Sequence, residues 1–187
     1  MPTANDHLRE LLIKQSVCWG EFTLVSGAKS DFYVDSKLTT FDPRGANLIG
    51  EVGLEIVRST AGRLKVKPAA IGGLTMGADP IALAIAMYSA MSGVEDPLQM
   101  FAVRKSPKAY GRNKLIEGNF PEHAPVVIVD DVITTGGSTM KAIRAVEESG
   151  GRIAFVLALV DREEGGRQNI EKLGHEVVSF FTRSSLR

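Results

Sequence analysis

Residues 126–140 read VVIVDDVITTGGSTM: four apolar residues run into two adjacent carboxylates, then into threonines and glycines. An apolar run without alternation is the pattern of a strand buried on both faces, which demands a sheet covered by helices on each side. Ending such a strand in Asp130 and Asp131 sets burial against charge, and local conflicts of that kind concentrate at functional sites.

The surrounding sequence supplies the layers that this strand needs. From residue 68 short apolar segments alternate with helical ones: AAIGGL, DPIALAIAMYSAM, LQMFAVR, VVIVDD, STMKAIRAVEESGG and RIAFVLALVDR. This order predicts an α/β fold with an open, mostly parallel sheet flanked by helices. Upstream, residues 5–15 are expected to be helical, capped by Asn5 or Asp6, with Leu8, Leu11 and Leu12 on one face. GEFTLVSGAKSDFYVDSKL alternates and is split by SGAKS, which predicts a β-hairpin forming a small N-terminal hood. Cys18 and Trp19 are expected to pack beneath it. Pro43 then opens a long helix with Leu48, Val52 and Ile56 on its apolar face, ending near Gly62. HEVVSFFTR at the other end reads as an edge strand.

With 187 residues, 44% of them hydrophobic, the chain suits one well-buried core. We expect a single domain over 1–187, with about 1–42 as the hood and about 43–187 as the core. Lys plus Arg number 22 and Asp plus Glu 22, so no global field favours nucleic acid or a membrane surface as partner. The longest apolar run, residues 81–88, is far short of a bilayer span, and no apolar leader follows the N-terminus. One cysteine suits a reducing compartment, so a cytoplasmic location is expected.

In open α/β sheets ligands bind beyond the carboxyl ends of the strands, where Asp130 and Asp131 stand. In the following TTGGST, Gly136 and Gly137 allow close backbone approach, and Thr134, Thr135, Ser138 and Thr139 supply hydroxyls. N–H groups without helical partners make such a turn a phosphate cradle. Taken alone, the segment also fits strand-end charges before an ordinary capped turn. Carboxylates beside a phosphate repel it, so the ligand must also offer hydroxyls or a cation; a ribose 5-phosphate with Mg²⁺ does both. Neither GxxxxGK followed by Ser or Thr nor a GxGxxG after a strand is present, which argues against a P-loop or dinucleotide site.

LTMGADP, which joins AAIGGL to the next helix, offers a second backbone loop. Two such loops suit a ribose carrying a 5-phosphate and a 1-diphosphate. RKSPKAYGRNKLIEG, residues 104–118, places Arg104, Lys105, Lys108, Arg112 and Lys114 against Glu117. Its Pro and Gly content predicts a long loop, either plain solvated surface or a lid over an anionic ligand.

DDVITTGGS resembles the phosphoribosyl diphosphate motif of the type I phosphoribosyltransferases. FTLVSGAKSDFYVDSKL, RKSPKAYGRNK and VDREEGG together resemble the orotate phosphoribosyltransferase family, over about residues 20–165. The resemblance implies transfer of phosphoribose from 5-phosphoribosyl 1-diphosphate to orotate, with Mg²⁺, in pyrimidine synthesis. It implies that Asp130 and Asp131 hold the ribose hydroxyls, Asp131 also reaching the metal through water. The backbone of Val132, Ile133, Thr134, Thr135, Gly136, Gly137 and Ser138 would cradle the 5-phosphate. Arg104, Lys105 and Lys108 would hold diphosphate, with Lys108 the catalytic lid residue. Thr134 and Arg162 would contact orotate, and Lys29, Phe32 and Tyr33 would line the base pocket. Arg162 beside Glu163 and Glu164 also reads as a surface ion pair. The family further implies a homodimer with the lid shared across the interface. Two departures bear on donor affinity: Tyr110 stands where the lid of relatives has a histidine, and LTMGADP lacks a lysine that some members carry. Rival readings are a phosphoribosyltransferase for another base, and a non-catalytic regulator that keeps the sugar-phosphate site.

Overall fold

The computed structural model describes residues 1–23, 29–106 and 115–187. Its first helix, α1 (Ala4–Gln15), is capped by Thr3, whose hydroxyl accepts from the Asp6 N–H while the Asp6 carboxylate accepts from Thr3. This reciprocal capping box displaces the expected caps: Asp6 serves as the partner inside the first turn, and Asn5 lies within the helix. Leu8 and Leu12 are its fully buried residues, four apart on one face.

Strands β1 (Val17–Thr23) and β2 (Lys29–Val34) pair antiparallel as a two-stranded sheet, the hairpin expected from the alternation. β1 begins earlier than expected, so Cys18 and Trp19 lie within it. Both are exposed, contrary to expectation. The Trp19 indole meets the Phe32 ring at a 45° tilt, with centroids 4.6 Å apart, and the Arg183 and Arg187 guanidinium groups lie 5.8 and 5.3 Å from its centre. An indole partnered by cations keeps its stabilisation with one side wet.

A short helix, α2 (Lys37–Thr40), leads into α3 (Pro43–Leu64), which starts as expected with Pro43 in its first turn and Asp42 as cap. The buried stripe of α3 runs through Ile49, Val52 and Val57, about one position from the expected one, with Leu48 and Ile56 at its margins.

The main sheet has six strands in the order β5-β4-β3-β6-β7-β8. These are β3 (Ala70–Leu74), β4 (Gln99–Val103), β5 (Ile116–Gly118), β6 (Pro125–Ile133), β7 (Arg152–Asp161) and β8 (Val177–Thr182). All neighbouring pairs are parallel except β4 with β5. Helices α4 (Ala78–Met91), α5 (Gly137–Glu148) and α6 (Gly166–Glu171) connect them.

β6 explains the apolar run. Val127 and Val129 enter the core beneath α1, α3 and α4, while Val126 and Ile128 enter the core beneath α5 and α6. Both faces are dry, so a polar alternate would be buried without a partner. β8 is an edge strand, as its sequence suggested. The far end of the 104–118 segment differs from the expected loop: Ile116–Gly118 pairs with β4, and the Arg104 N–H donates to the Leu115 carbonyl at 2.8 Å. Three residues are too few to show a period of two. Among the described residues, no helix is long and apolar enough to cross a membrane.

Candidate active site

Because β3, β4, β6 and β7 run parallel, their carboxyl ends share one edge of the sheet, and the loops leaving them are tied together. The Thr75 N–H donates to the Val103 carbonyl at 2.8 Å, and the Arg162 N–H to the Ile133 carbonyl at 3.0 Å. The loop after β3, the start of the 104–118 segment, the threonine-glycine turn and Arg162 therefore border one region.

Asp130 is buried, with 6% of its surface exposed. One carboxylate oxygen accepts from the Thr139 hydroxyl of α5 at 2.5 Å and the other from the Asp131 N–H at 3.1 Å. Burial pushes its carboxyl up to about 7; the neighbouring Asp131 adds to this, and the Thr139 hydroxyl pulls the other way. Asp131 has partners of its own. Its Oδ2 accepts from the Ser36 hydroxyl at 2.6 Å, and its Oδ1 from the Val132 N–H at 3.0 Å. Gly77, in the loop after β3, lies so close that a β-carbon there would overlap the Asp131 carboxylate. Each of the two adjacent carboxylates thus accepts from a hydroxyl of a different element, while Asp131 stays close enough to help raise the Asp130 carboxyl.

The turn beyond them is shorter than the sequence suggested. Val132 and Ile133 still belong to β6, opposite Val160 and Asp161 of β7, so the irregular backbone starts at Thr134. Gly136 adopts a left-handed conformation, φ 84°, and packs against Gly166 and Ile170, where a side chain has neither the space nor the backbone freedom. Gly137 differs: a β-carbon there would find only the Thr135 hydroxyl, at 3.9 Å. Its missing side chain leaves open space over the amino end of α5, where first-turn N–H groups lack helical partners. Thr135 and Ser138 are exposed, and Thr134 is half-buried. Thr139, grouped with them by sequence, instead spends its hydroxyl on Asp130.

Arg162 is buried, with 6% exposed, rather than at the surface. Its Nη2 donates to the Ser30 hydroxyl at 2.9 Å and the Phe32 carbonyl at 3.0 Å, and pairs with Glu164 at 2.7 Å. Its Nε has no hydrogen-bond partner among the described residues. Arg162 therefore joins the hood to the end of β7. Phe32 is fully buried, below the guanidinium at 5.8 Å, whereas Tyr33 and Lys29 are exposed. Phe32 and Tyr33 are consecutive in a strand and point to opposite faces, so the structure does not bring their rings together.

Arg104 is half-exposed and 3.8 Å from Glu117, and Lys105 is exposed. Lys108 and Tyr110 lie outside the described residues. In the loop after β3, the Thr75 hydroxyl donates to Asp79 at 2.5 Å, and the other Asp79 oxygen is buried with no partner among the described residues.

No protein-family model matches the chain. It is 47% identical over 165 residues to the orotate phosphoribosyltransferase of Aquifex aeolicus, covering 88% of this chain and 86% of that one. The chain belongs to the orotate phosphoribosyltransferase family, of the type I phosphoribosyltransferases. Solved structures agree. The Mycobacterium tuberculosis orotate phosphoribosyltransferase with Fe(III) dicitrate superposes with a TM-score of 0.82 at 36% identity, covering 98% of this chain and 99% of that one. The same enzyme with 5-phospho-alpha-D-ribosyl 1-diphosphate gives 0.79 at 33% identity, with 98% and 99% covered.

Against that family, Ser36, Thr139 and Gly77 are the contacts around the carboxylate pair that sequence reasoning did not assign. Ser36 and Gly77 reach Asp131 from distant parts of the chain and leave no local signal. Thr139 stands nine residues after Asp130, where a hydroxyl in the first turn of α5 faces back toward the strand it follows. Substituting Gly77→Ala should displace the Asp131 carboxylate while sparing the core. Steady-state kinetics of the family's transfer reaction should show kcat/KM for the phosphoribosyl donor falling roughly ten- to a hundredfold, with little change in Tm.

Proposed function

We propose that this chain transfers the 5-phosphoribosyl group of 5-phosphoribosyl 1-diphosphate to orotate, giving orotidine 5-phosphate and diphosphate on the route to UMP. The observation that carries this reading is the Asp130–Asp131 pair, each carboxylate held by a hydroxyl, standing before the open glycine turn at the amino end of α5. Carboxylates and a phosphate cradle serve one ligand only if it has a phosphate at one end and hydroxyls, or developing positive charge, beside it. A ribose 5-phosphate undergoing displacement at C1 meets both conditions.

Asp130 and Asp131 hold the ribose hydroxyls and stabilise the positive charge that the sugar gains as diphosphate departs. The 5-phosphate lies on the N–H groups of the turn from Thr134 to Ser138. Arg104 and Lys105, with Lys108 and Tyr110 of the lid, hold the diphosphate, and closure of residues 104–118 shields the donor from water. Arg162 and Thr134 orient orotate; Lys29 and Tyr33 approach it from the hood, and buried Phe32 supports the Arg162 guanidinium. Among the described residues no cluster of three or more His, Cys, Asp or Glu could hold a metal. Two carboxylates suit Mg²⁺, which takes one or two from protein and completes its shell with water and substrate oxygens. Asp131 would hold the ion through water, and the ion would supply positive charge to offset that of the diphosphate. The chain acts as one domain, residues to about 42 forming the hood, and its exposed Cys18 suits the reducing cytoplasm.

We read the working form as a homodimer in which the lid of one subunit covers the site of the other. Supporting this, Leu83, Met87 and Met91 of α4 are 49%, 56% and 76% exposed, spaced four apart on one side of the helix. Leu38 and Phe41, at α2, are also exposed. Apolar stripes of this kind on a folded chain mark interaction surfaces. Substituting Met87→Glu should shift the protein to monomers in light scattering and lower turnover at least roughly tenfold, since a shared site needs both subunits.

The reading itself is tested by following orotate absorbance on adding donor and Mg²⁺. The absorbance of orotate should fall, and excess chelator should stop that fall, because neither Asp130 nor Asp131 can neutralise diphosphate. Turnover of adenine or uracil in place of orotate would move the chain to another base, and undiminished activity in chelator would reject the metal.

A further inference from the structure

Ser36 stands at the amino cap of α2, the position where a serine ordinarily binds the exposed N–H groups of its helix. It makes no such bond. The neighbouring Asp35 carboxylate accepts from the Lys37 N–H at 3.3 Å instead. The Ser36 hydroxyl, on a residue only 2% exposed, reaches 95 positions along the chain to the Oδ2 of Asp131 at 2.6 Å. The other Asp131 oxygen accepts from the next N–H of its own strand, at 3.0 Å, and the carboxylate lies against Gly77. Ser36 is thus the one hydroxyl from another element on this carboxylate among the described residues, as Thr139 is for Asp130.

We infer that Ser36 is a positioning residue of the donor side of the site. Its hydroxyl fixes the Asp131 carboxylate against Gly77, so that the junction of hood and core sets the geometry presented to the ribose and its diphosphate. This rests on the transfer reaction proposed above, and turnover by the unsubstituted protein tests that reading separately. The competing role is a plain anchor: Ser36 lies just beyond β2, and loosening it could free the hood as a whole. The two roles separate by substrate. An anchor acts through Lys29, Phe32 and Arg162, hence on orotate. A positioning residue acts through Asp131, hence on the donor.

The experiment compares the unsubstituted protein, Ser36→Ala, Asp131→Ala and the double variant by calorimetric titration with 5-phosphoribosyl 1-diphosphate in Mg²⁺. Steady-state kinetics are measured for the unsubstituted protein and Ser36→Ala. A hydroxyl bonded to a charged group predicts about a tenfold weaker donor Kd in Ser36→Ala. The orotate KM should stay within about twofold, and Ser36→Ala should cost less than about twofold once Asp131 is already alanine. Ser36→Cys, close in volume but a weak donor, should reproduce the donor loss if the alanine variant folds poorly. An equal loss with and without the Asp131 carboxylate, or a rise confined to the orotate KM, would overturn the assignment.

Discussion

The structure depends on placing charge at the end of a strand that has no wet face. β6 sits between β3 and β7 with apolar cores on both sides, so its side chains remain dry up to Val129. Asp130 then faces the α5 side and is still buried. An ionised carboxylate there is costly without partners. The fold answers with Thr139, with the N–H of Asp131, and with a hood whose Ser36 hydroxyl donates to the second carboxylate. The neighbouring elements are arranged around this requirement. α5 must start immediately after the turn for Thr139 to reach back, and the loop after β3 must carry glycine where Asp131 lies.

The hood follows from the same requirement, since it brings both Ser36 and the partners of Arg162. It is held to the core by groups that sequence periodicity does not reveal. Arg162 reaches β2 through the Ser30 hydroxyl and the Phe32 carbonyl, and Arg183 pairs with Asp31 at 2.6 Å while lying over both Trp19 and Phe32. Alternating rings and guanidinium groups make a seam that is neither a dry core nor a loose surface. It keeps cations at the junction while their charges remain partnered.

Where local chemistry decided the outcome, the sequence was sufficient. The unalternating run of β6, the proline opening α3 and the glycine turn before α5 each state their conformation within a few residues. The family resemblance then gave the reaction that the exposed edge of the sheet serves. Contacts across the chain were not legible. Nothing near Ser36 says that it will forgo its own helix for Asp131, and Trp19 reads as core until Arg183 and Arg187 are seen beside it. The capping of α1 shows the limit at short range too. Asp6 carries the right chemistry, but Thr3, three residues earlier, completes the box and moves the start of the helix. The placing of Phe32 and Tyr33 in one base pocket came from resemblance, and the period of two in β2 separates their rings.

Burial of Asp130 means that the protein gives up stability wherever that carboxyl is ionised. The most direct test compares urea unfolding of the ligand-free protein and its Asp130→Asn variant from pH 4 to pH 8. Native Asp130 keeps its proton up to about 7, whereas the unfolded chain releases it near the ordinary value of 3.8. Between those values the native state binds the extra proton, so this group's contribution to stability falls as pH rises. The difference between the two curves isolates that group. Contributions such as that of Asp42, whose carboxyl Gln15 and nearby backbone N–H groups hold at about 2, are common to both proteins and cancel. The account predicts that Asp130→Asn, although inactive in transfer, is more stable than the unsubstituted protein at pH 8 by roughly 2–4 kcal/mol. That advantage should vanish by about pH 4. A variant that is no more stable at pH 8, or whose difference from the parent does not change with pH, would contradict it.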